Sequence, residues 1–250
     1  MKTVKKALDI LEVFLNTRRE ISISELASIT GQNISTVHGI LHELIRRGYI
    51  RQPERRGKYS LGLKISGFNG ALSKTAAIVE IAKPFMVELS KQVNETVNIA
   101  VRNGNYAINI SIIHSPHRLR VVTDDNSGIP LYCTAVGKIF LAGMTNKELV
   151  EYFDNEKLVS STPNTVTDAR LLKKQIQVIR DEGVAYDDEE CDIGIRNVAA
   201  PVKDYYGNIA AAIGVLGPSI RLSLKRMKEI TPVVTKYATD ISGVMGYTEE

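Results

Sequence analysis

The sequence predicts an α+β chain in two parts: a small basic unit of three helices closed by a two-strand ribbon, and a larger domain of helices packed on an antiparallel sheet. Three observations carry that prediction. Near the N-terminus a short capped helix is followed, across one glycine, by a second amphipathic helix. The later part alternates apolar and polar residues on either side of turn-forming stretches. Charge divides unequally, residues 1–82 holding 13 Lys and Arg against 7 Asp and Glu, and residues 83–250 holding 19 against 21.

The elements of the basic unit follow in order. Val4, Ala7, Leu8, Leu11, Phe14 and Leu15 recur at i, i+3, i+4 and i+7 and predict a first helix whose stripe closes over the next two. In ISISELASITG, Ser22 is an N-cap with Glu25 as capping-box partner, Leu26 and Ile29 share a face, and Gly31 stops the helix. A third helix occupies residues 33–48. At about 100° per residue, Ile34, Val37, Ile40, Leu41, Leu44 and Ile45 fall on one arc, and Ser35, Gly39, His42 and Arg46 line the opposite side, flanked by Thr36, His38 and Glu43. GYIRQPERRGKYSLG then gives strands at 49–52 and 58–61 around a loop with Pro53 and Gly57. Helix, helix, turn, helix, ribbon is the order of a winged helix-turn-helix domain, assigned to residues 1–67.

A polar outer face on an amphipathic helix is ordinarily solvated surface. Here its neighbours give it a partner, because in this arrangement the second helix of the pair lies in the major groove of DNA and the ribbon follows the phosphates. Ser35, Thr36, His38 and His42 carry the short hydrogen-bonding groups that read base edges. Arg46, Arg47, Arg51, Arg55, Arg56 and Lys58, clustered at the helix end and on the ribbon, suit phosphates. His38 and His42 also have the i, i+4 spacing of metal ligands, but no carboxylate or cysteine shares their face, and no metal is assigned.

A linker helix is assigned to residues 68–82, within a helical pattern interrupted at Pro84, and an effector-binding domain to 83–250. ETVNIAVRNGNYAINISII alternates through two strands joined at Asn103, Gly104 and Asn105, a strong hairpin signal. LRVVT reads as another strand; TAVGKIFLAG, NKELVEYF and DARLLKKQIQVIRDEG read as helices. NVAAPVKDYYGNIAAAIGVLG gives a second strand pair turning at residues 204–208, before a last helix at about 224–245. Helices on an antiparallel sheet make an α+β, sensor-like domain.

Composition narrows the class. At 250 residues with 44% hydrophobic content, the chain is expected to form about two globular domains. No run of about 18 uncharged apolar residues is present, and Asp9 and Glu12 interrupt any leader core, so a cytoplasmic protein with no membrane partner is expected. Cys133 and Cys191 are too few for a disulfide framework and suit a reducing compartment. No nucleophile has a locally assigned base, so catalysis is not indicated and no cofactor is expected.

Over almost its whole length the chain resembles the IclR-type transcriptional regulators. The motifs are ordered: SISELASITG, GIPLYCTAVGKIFLAG, GVAYDDEECDIGIRNVAAPV and AAIGVLGPSIRLS. The resemblance implies a winged helix joined by a helix to a GAF-like effector domain, a homodimer or homotetramer on a near-palindromic double-stranded operator, and control by a small metabolite, often an organic acid, with repression common. One departure is Gly39 in STVHGIL, where the family often places Arg. A mid-helix glycine costs about 1 kcal/mol relative to alanine; it is either tolerated drift or a means of closer approach to the groove floor.

In GIPLYCTAVGKIFLAG, residues 134–137 open a helix whose first turn presents free backbone N–H groups suited to an anion; the alternative is an ordinary helix start capped by Thr134. The resemblance to the glyoxylate-responsive pattern places the effector pocket at Ile129, Ala135, Val136, Asp187, Ile195, Asn197, Gly214 and Leu216. Where that pattern has SISG this chain has GVLG, so two hydroxyls are lost and a larger or more apolar acid is expected. The run YDDEECDIG is either a cation site or, more often for such runs, a solvated acidic loop. The acidic neighbours of Cys191 disfavour a thiolate. Two rival classes are a metabolite-binding or hydrolytic enzyme carrying a basic accessory domain, using Asp187 or Cys191, and a nucleic-acid protein without sequence preference.

Overall fold

The computed structural model describes residues 2–17, 19–53, 57–66, 73–123 and 128–248. The chain divides into two compact units, Met1–Ala76 and Ala77–Glu250.

In the first unit α1 (Lys2–Thr17), α2 (Ile23–Thr30) and α3 (Ile34–Arg46) enclose a small core with the ribbon β1 (Ile50–Arg51) and β2 (Ser60–Leu61). Ser22 caps α2 by accepting from the Glu25 amide at 3.3 Å, and Gly31 ends it in a left-handed conformation. The capping box is not reciprocal, because the Glu25 carboxylate pairs with Arg19 instead. Two apolar stripes compete on α1. Ile10, Val13 and Phe14 are buried against α2 and the ribbon, while Val4 and Leu8, expected inside, are exposed. The same selection leaves Ile29 on α2 and Ile34 on α3 exposed, with Leu26, Ala27, Val37 and Leu41 in the core. The ribbon pairs Ile50 with Leu61 and Arg51 with Ser60, and a bridge between Ile21 and Tyr59 ties it to the segment entering α2.

The second unit begins with most of α4 (Ser73–Val93), which runs through Pro84 without interruption. An interior proline costs about 3 kcal/mol. Pro84 lies on the exposed side of α4, while Ile78, Ala82, Met86, Leu89 and Val93 bury the other stripe. Burying one large aliphatic side chain is worth about 1.5–3 kcal/mol, so the stripe outweighs the missing hydrogen bond.

Six strands form an antiparallel sheet in the order β5-β4-β3-β8-β7-β6: β3 (Thr96–Asn103), β4 (Tyr106–Ile113), β5 (Ile129–Pro130), β6 (Ala185–Asp188), β7 (Ile195–Lys203) and β8 (Ile209–Pro218). One face carries Val97, Ile99, Val198, Val202, Ile213 and Val215 and is covered by α4 and α8 (Leu224–Val244). The other presents Ala100, Ala185, Ala199 and Ala212 to α5 (Ala135–Gly143) and α7 (Ala169–Glu182), with α6 (Asn146–Asn155) between them in sequence. LRVVT is not a strand. β5 pairs with β4 at Tyr106 and Ala107, and the 119–123 segment joins no ladder but is held by the Thr96 hydroxyl donating to the Val121 carbonyl at 3.3 Å. β6, absent from the sequence reading, follows Gly183 directly and pairs with β7.

Small residues on this face let α5 lie close to the sheet, and Gly137 allows a second close approach, to the turn that enters the helix: a Cβ there would stand 2.5 Å from both Cα and O of Leu131. These neighbours are backbone and cannot swing aside. Gly137→Ala is therefore expected to destabilise the protein by about 1–3 kcal/mol, measured as a lowered urea midpoint; a midpoint equal to wild type would show that the helix does not need this close approach.

Candidate functional site

On α3 the outward face is built as the periodicity predicts. Ser35, His38, Gly39, His42, Arg46 and Arg47 are exposed and Thr36 is half-exposed. A Cβ on Gly39 would meet nothing within 4 Å, so the glycine answers no packing demand inside the protein. Glu43 changes the reading of the helix end, since its carboxylate accepts from Arg46 at 2.7 and 2.9 Å and also from Arg47. These two guanidinium groups hold the Glu43 carboxyl down at about 2. Two of the six cations assigned to phosphates, Arg46 and Arg47, are thus already tethered to one anion. On the ribbon, Arg51 donates to the Ser60 hydroxyl at 3.0 Å and Lys58 is exposed; Arg55 and Arg56 lie outside the described residues.

In the second unit, cross-strand register assembles a polar patch on the small-residue face. Thr96, Leu216, Asn197 and Asp187 oppose one another across β3, β8, β7 and β6. The adjacent row is Asn98, Gly214, Ala199 and Ala185. Ile195, opposite Pro218, extends the face by one more row and is half-buried. A bulge at Ile99 and Ala100 shifts the register of β4 by one residue, which sets Asn109 rather than Ile110 opposite Ala100. Asn109 thereby reaches Asn98, whose amide donates to it at 2.7 Å, and itself donates to Thr123 at 3.4 Å.

The start of α5 closes this patch. Thr134 caps the helix, accepting from the Gly137 amide at 3.2 Å while donating to the Pro130 carbonyl at 2.8 Å. The cap leaves the first two amides, of the fully buried Ala135 and Val136, without an acceptor, so the two sequence readings of this turn are compatible. Facing them is Gly214, where a Cβ would lie 2.6 Å from Asn98 Oδ1, 2.9 Å from Asn197 Oδ1 and 3.1 Å from Val136 Cγ1. Both amide oxygens are buried and have no hydrogen-bond partner. Ile129, on β5, is half-buried against the same core.

The acidic run is no solvated loop. Asp187 and Glu190 are buried, and the run is matched with cations: Lys138 of α5 donates to Glu190 at 2.5 Å and to the Tyr186 carbonyl at 3.0 Å, while Arg196 pairs with Asp188 and Glu189. The lone lysine inside the apolar TAVGKIFLAG was the sequence signal for this pairing. Two carboxyls share one ammonium, and burial pushes the Asp187 carboxyl up to about 7 despite the amide of Glu190 donating to it at 2.8 Å. Glu190 is raised as well, chiefly by burial. The Cys191 thiol is driven well above its ordinary range by its hydrogen bond with Cys133 and by burial, which makes it a poor nucleophile. Among the described residues no group of three or more His, Cys, Asp or Glu is placed to hold a metal.

Sequence reasoning missed Asn98 and Asn109. The signal was polar side chains at strand positions that alternation assigns to a buried face.

A basic helix-turn-helix unit and a second, sheet-based unit with a buried polar patch define a two-part DNA-binding regulator. The family description "Bacterial transcriptional regulator IclR C-terminal" matches residues 70–243, and "IclR helix-turn-helix domain" matches residues 3–54. The chain belongs to the IclR family of transcriptional regulators. It is 30% identical over 247 residues to the regulator KdgR of Escherichia coli K12, covering 99% of this chain and 94% of that protein. To KipR of Bacillus subtilis 168 it is also 30% identical, covering 99% and 98%. The crystal structure of IclR from Thermotoga maritima superposes with a TM-score of 0.81 at 30% identity, covering 99% and 100%. An IclR homologue of Microbacterium hydrocarbonoxydans, complexed with 4-hydroxybenzoate, shares the fold, with a TM-score of 0.85 at 18% identity over 97% and 98% of the two chains. The relatives are named as transcriptional regulators, which sets the enzyme reading aside. No helix of the described residues is long and apolar enough to cross a membrane.

The buried carboxyl generates a pH prediction. An unfolded Asp187 releases its proton near 3.8 and the folded one near 7, so the folded state binds more protons in that window and stability falls as pH rises through it. The loss is complete above about 7, and Glu190 adds to it with the same sign. Asp187→Asn keeps an acceptor for the Glu190 amide and is expected to flatten the fall. Urea midpoints at pH 5, 6, 7 and 8 measure it; equal slopes for variant and wild type would show that Lys138 keeps Asp187 ionised.

Proposed function

We propose that the protein is a cytoplasmic repressor that binds a near-palindromic operator as a homodimer or homotetramer and is controlled by a small organic acid held in the second unit. The observation that carries this reading is the convergence of two free buried amides, at Ala135 and Val136, with two unpartnered amide oxygens, at Asn98 and Asn197, around Gly214. Buried polar groups in folded proteins are nearly always satisfied, and a helix start with open N–H groups takes a carboxylate. The ligand's carboxylate sits on Ala135 and Val136, its remaining polar atoms face Asn197 and Asp187, and Ile129, Ile195 and Leu216 line the rest.

Repression draws support from AllR of Salmonella, named a repressor and 29% identical over 98% of this chain. One winged helix reads only a few base pairs, which favours paired half-sites. Ser35, Thr36, His38 and His42 read bases; Arg46, Arg47, Arg51, Arg55, Arg56 and Lys58 hold phosphates. Ligand alters DNA affinity only by preferring one arrangement of the chain over another, with residues 68–82 as the linker that carries the difference. Reciprocity follows, so operator-bound protein holds the ligand more weakly by the factor by which ligand weakens operator binding.

Two experiments test the two sites. At the DNA face, His42→Ala is expected to relax base preference by about 1–3 kcal/mol at particular operator positions. Glu43→Gln, which releases both arginines, should tighten binding to every duplex and steepen its salt dependence by about 0.9 for each additional phosphate neutralised. Binding titrations across salt concentrations read both; a change in base preference from Glu43→Gln with none from His42→Ala would reverse the assignment. At the pocket, Gly214→Ala places a methyl between the two amides and is expected to abolish ligand-induced release of operator while leaving ligand-free operator affinity within about twofold, because the added group touches only the pocket. A release curve matching wild type would locate the effector elsewhere.

A further inference from the structure

The pocket's wall is more polar than the replacement of two hydroxyls by Gly214 and Leu216 suggests, because β3 and β4 supply what β8 does not. Asn98, Asn109 and Asn197 bring three carboxamides onto one face, each at most 7% exposed. Only Asn98 and Asn109 satisfy each other, through a single hydrogen bond of 2.7 Å. Asn98 Oδ1 and Asn197 Oδ1 are both buried and left without a partner. A sheet residue that is 93% buried with an unused amide oxygen is costly, since a buried donor or acceptor without a partner forfeits about 1–3 kcal/mol. The two open oxygens flank the α-carbon of Gly214 and lie beside Val136, so whatever they bind is adjacent to the group held by the Ala135 and Val136 amides.

This geometry specifies chemistry. A carboxamide offers both a donor and an acceptor, and a hydroxyl can answer either, whichever way the amide is turned. A keto oxygen, a halogen or a methylene answers at most one. Leu216 supplies the sole apolar side chain in the row shared with Thr96, Asn197 and Asp187. Filling such a site with an apolar or flat aromatic body leaves the amides unpaired, and sites built to bond a hydroxyl reject analogues lacking it far more strongly than apolar pockets reject an added one.

We infer that the ligand is an aliphatic carboxylic acid with hydroxyls on the carbons next to the carboxyl group, an aldonate-like sugar acid, and that Asn98 and Asn197 are the residues that select it; this rests on the effector-site reading above. The carboxylate lies on the start of α5, and the first hydroxyls lie over Gly214 between the two asparagines. Asn109 is a positioning residue that fixes the Asn98 amide, and Thr123 fixes Asn109 in turn. The more apolar acid expected from GVLG alone is thereby replaced.

Calorimetric titration of the full chain with D-gluconate, D-galactonate, D-mannonate and D-xylonate, against hexanoate, benzoate and D-glucitol, tests the inference. At least one aldonate is expected to bind tenfold or more tightly than hexanoate or benzoate, and D-glucitol, which lacks the carboxylate, is expected not to bind. Asn197→Leu is the informative variant because the Oδ1 it removes has no partner in the ligand-free protein: its urea midpoint should equal or exceed wild type, while aldonate affinity falls at least tenfold and hexanoate affinity holds. Hexanoate or benzoate binding as tightly as every aldonate would overturn the inference and leave the acid site standing. If no acid binds, or D-glucitol binds as well as the aldonates, the acid site itself falls, and the inference with it.

Discussion

The second unit depends on one constraint, the close approach of α5 to the sheet. The sheet's two faces carry side chains of different size: valines and isoleucines under α4 and α8, and alanines with Gly214 under α5 and α7. Large aliphatics do the bulk of the hydrophobic work on the first face, where each buried side chain is worth about 1.5–3 kcal/mol. The second face gives up much of that gain. In return the helix start descends to the sheet, where its first two residues are buried beside Gly214 and away from water. The buried polar patch therefore arises from what the face lacks, volume, as much as from what it carries.

That closeness creates an electrostatic problem, and the structure solves it in part. Two carboxyls, Asp187 and Glu190, are buried beside a single Lys138. Removing an ionised group from water is unfavourable unless it is paired, so the second carboxyl is driven toward its neutral form, as the position of Asp187 near 7 reflects. A neutral acid at this position can donate a hydrogen bond that a carboxylate cannot. Lys138 anchors α5 both to the Tyr186 backbone and to the Glu190 carboxylate.

The DNA-binding unit obeys different rules. Its core is small, its helices are short, and its outer face carries charges in high dielectric, where pairings such as Glu43 with Arg46 and Arg47 contribute little to stability. Their importance lies in competition. A phosphate meeting these arginines has to draw them from a carboxylate already in place, and that exchange moderates the non-specific attraction that a basic surface exerts on any duplex.

Local periodicity by itself determined the two-part architecture, the helix-turn-helix order, the Asn103-Gly104 hairpin, the α5 start and the outward face of α3, because each is set by residues within one or two turns of one another. Tertiary structure alone decided between alternatives that the same letters permit. Which stripe of α1 is buried, and that α4 runs on through Pro84, depended on partners distant in sequence. LRVVT has strand-like residues but joins no ladder of the sheet; its Val121 carbonyl accepts from the Thr96 side chain instead. Lys138, Asp187 and Glu190 meet only because β6 lies beneath α5, which turns an apparently solvated acidic run into a buried cluster. Asn98 and Asn109 meet only because a one-residue bulge shifts β4, a change in register that no short-range pattern in the strand encodes. The polarity of the face under α5 was not legible in the sequence, because hydrogen-bonding partners from different strands are chosen by register, and register is a property of the assembled sheet.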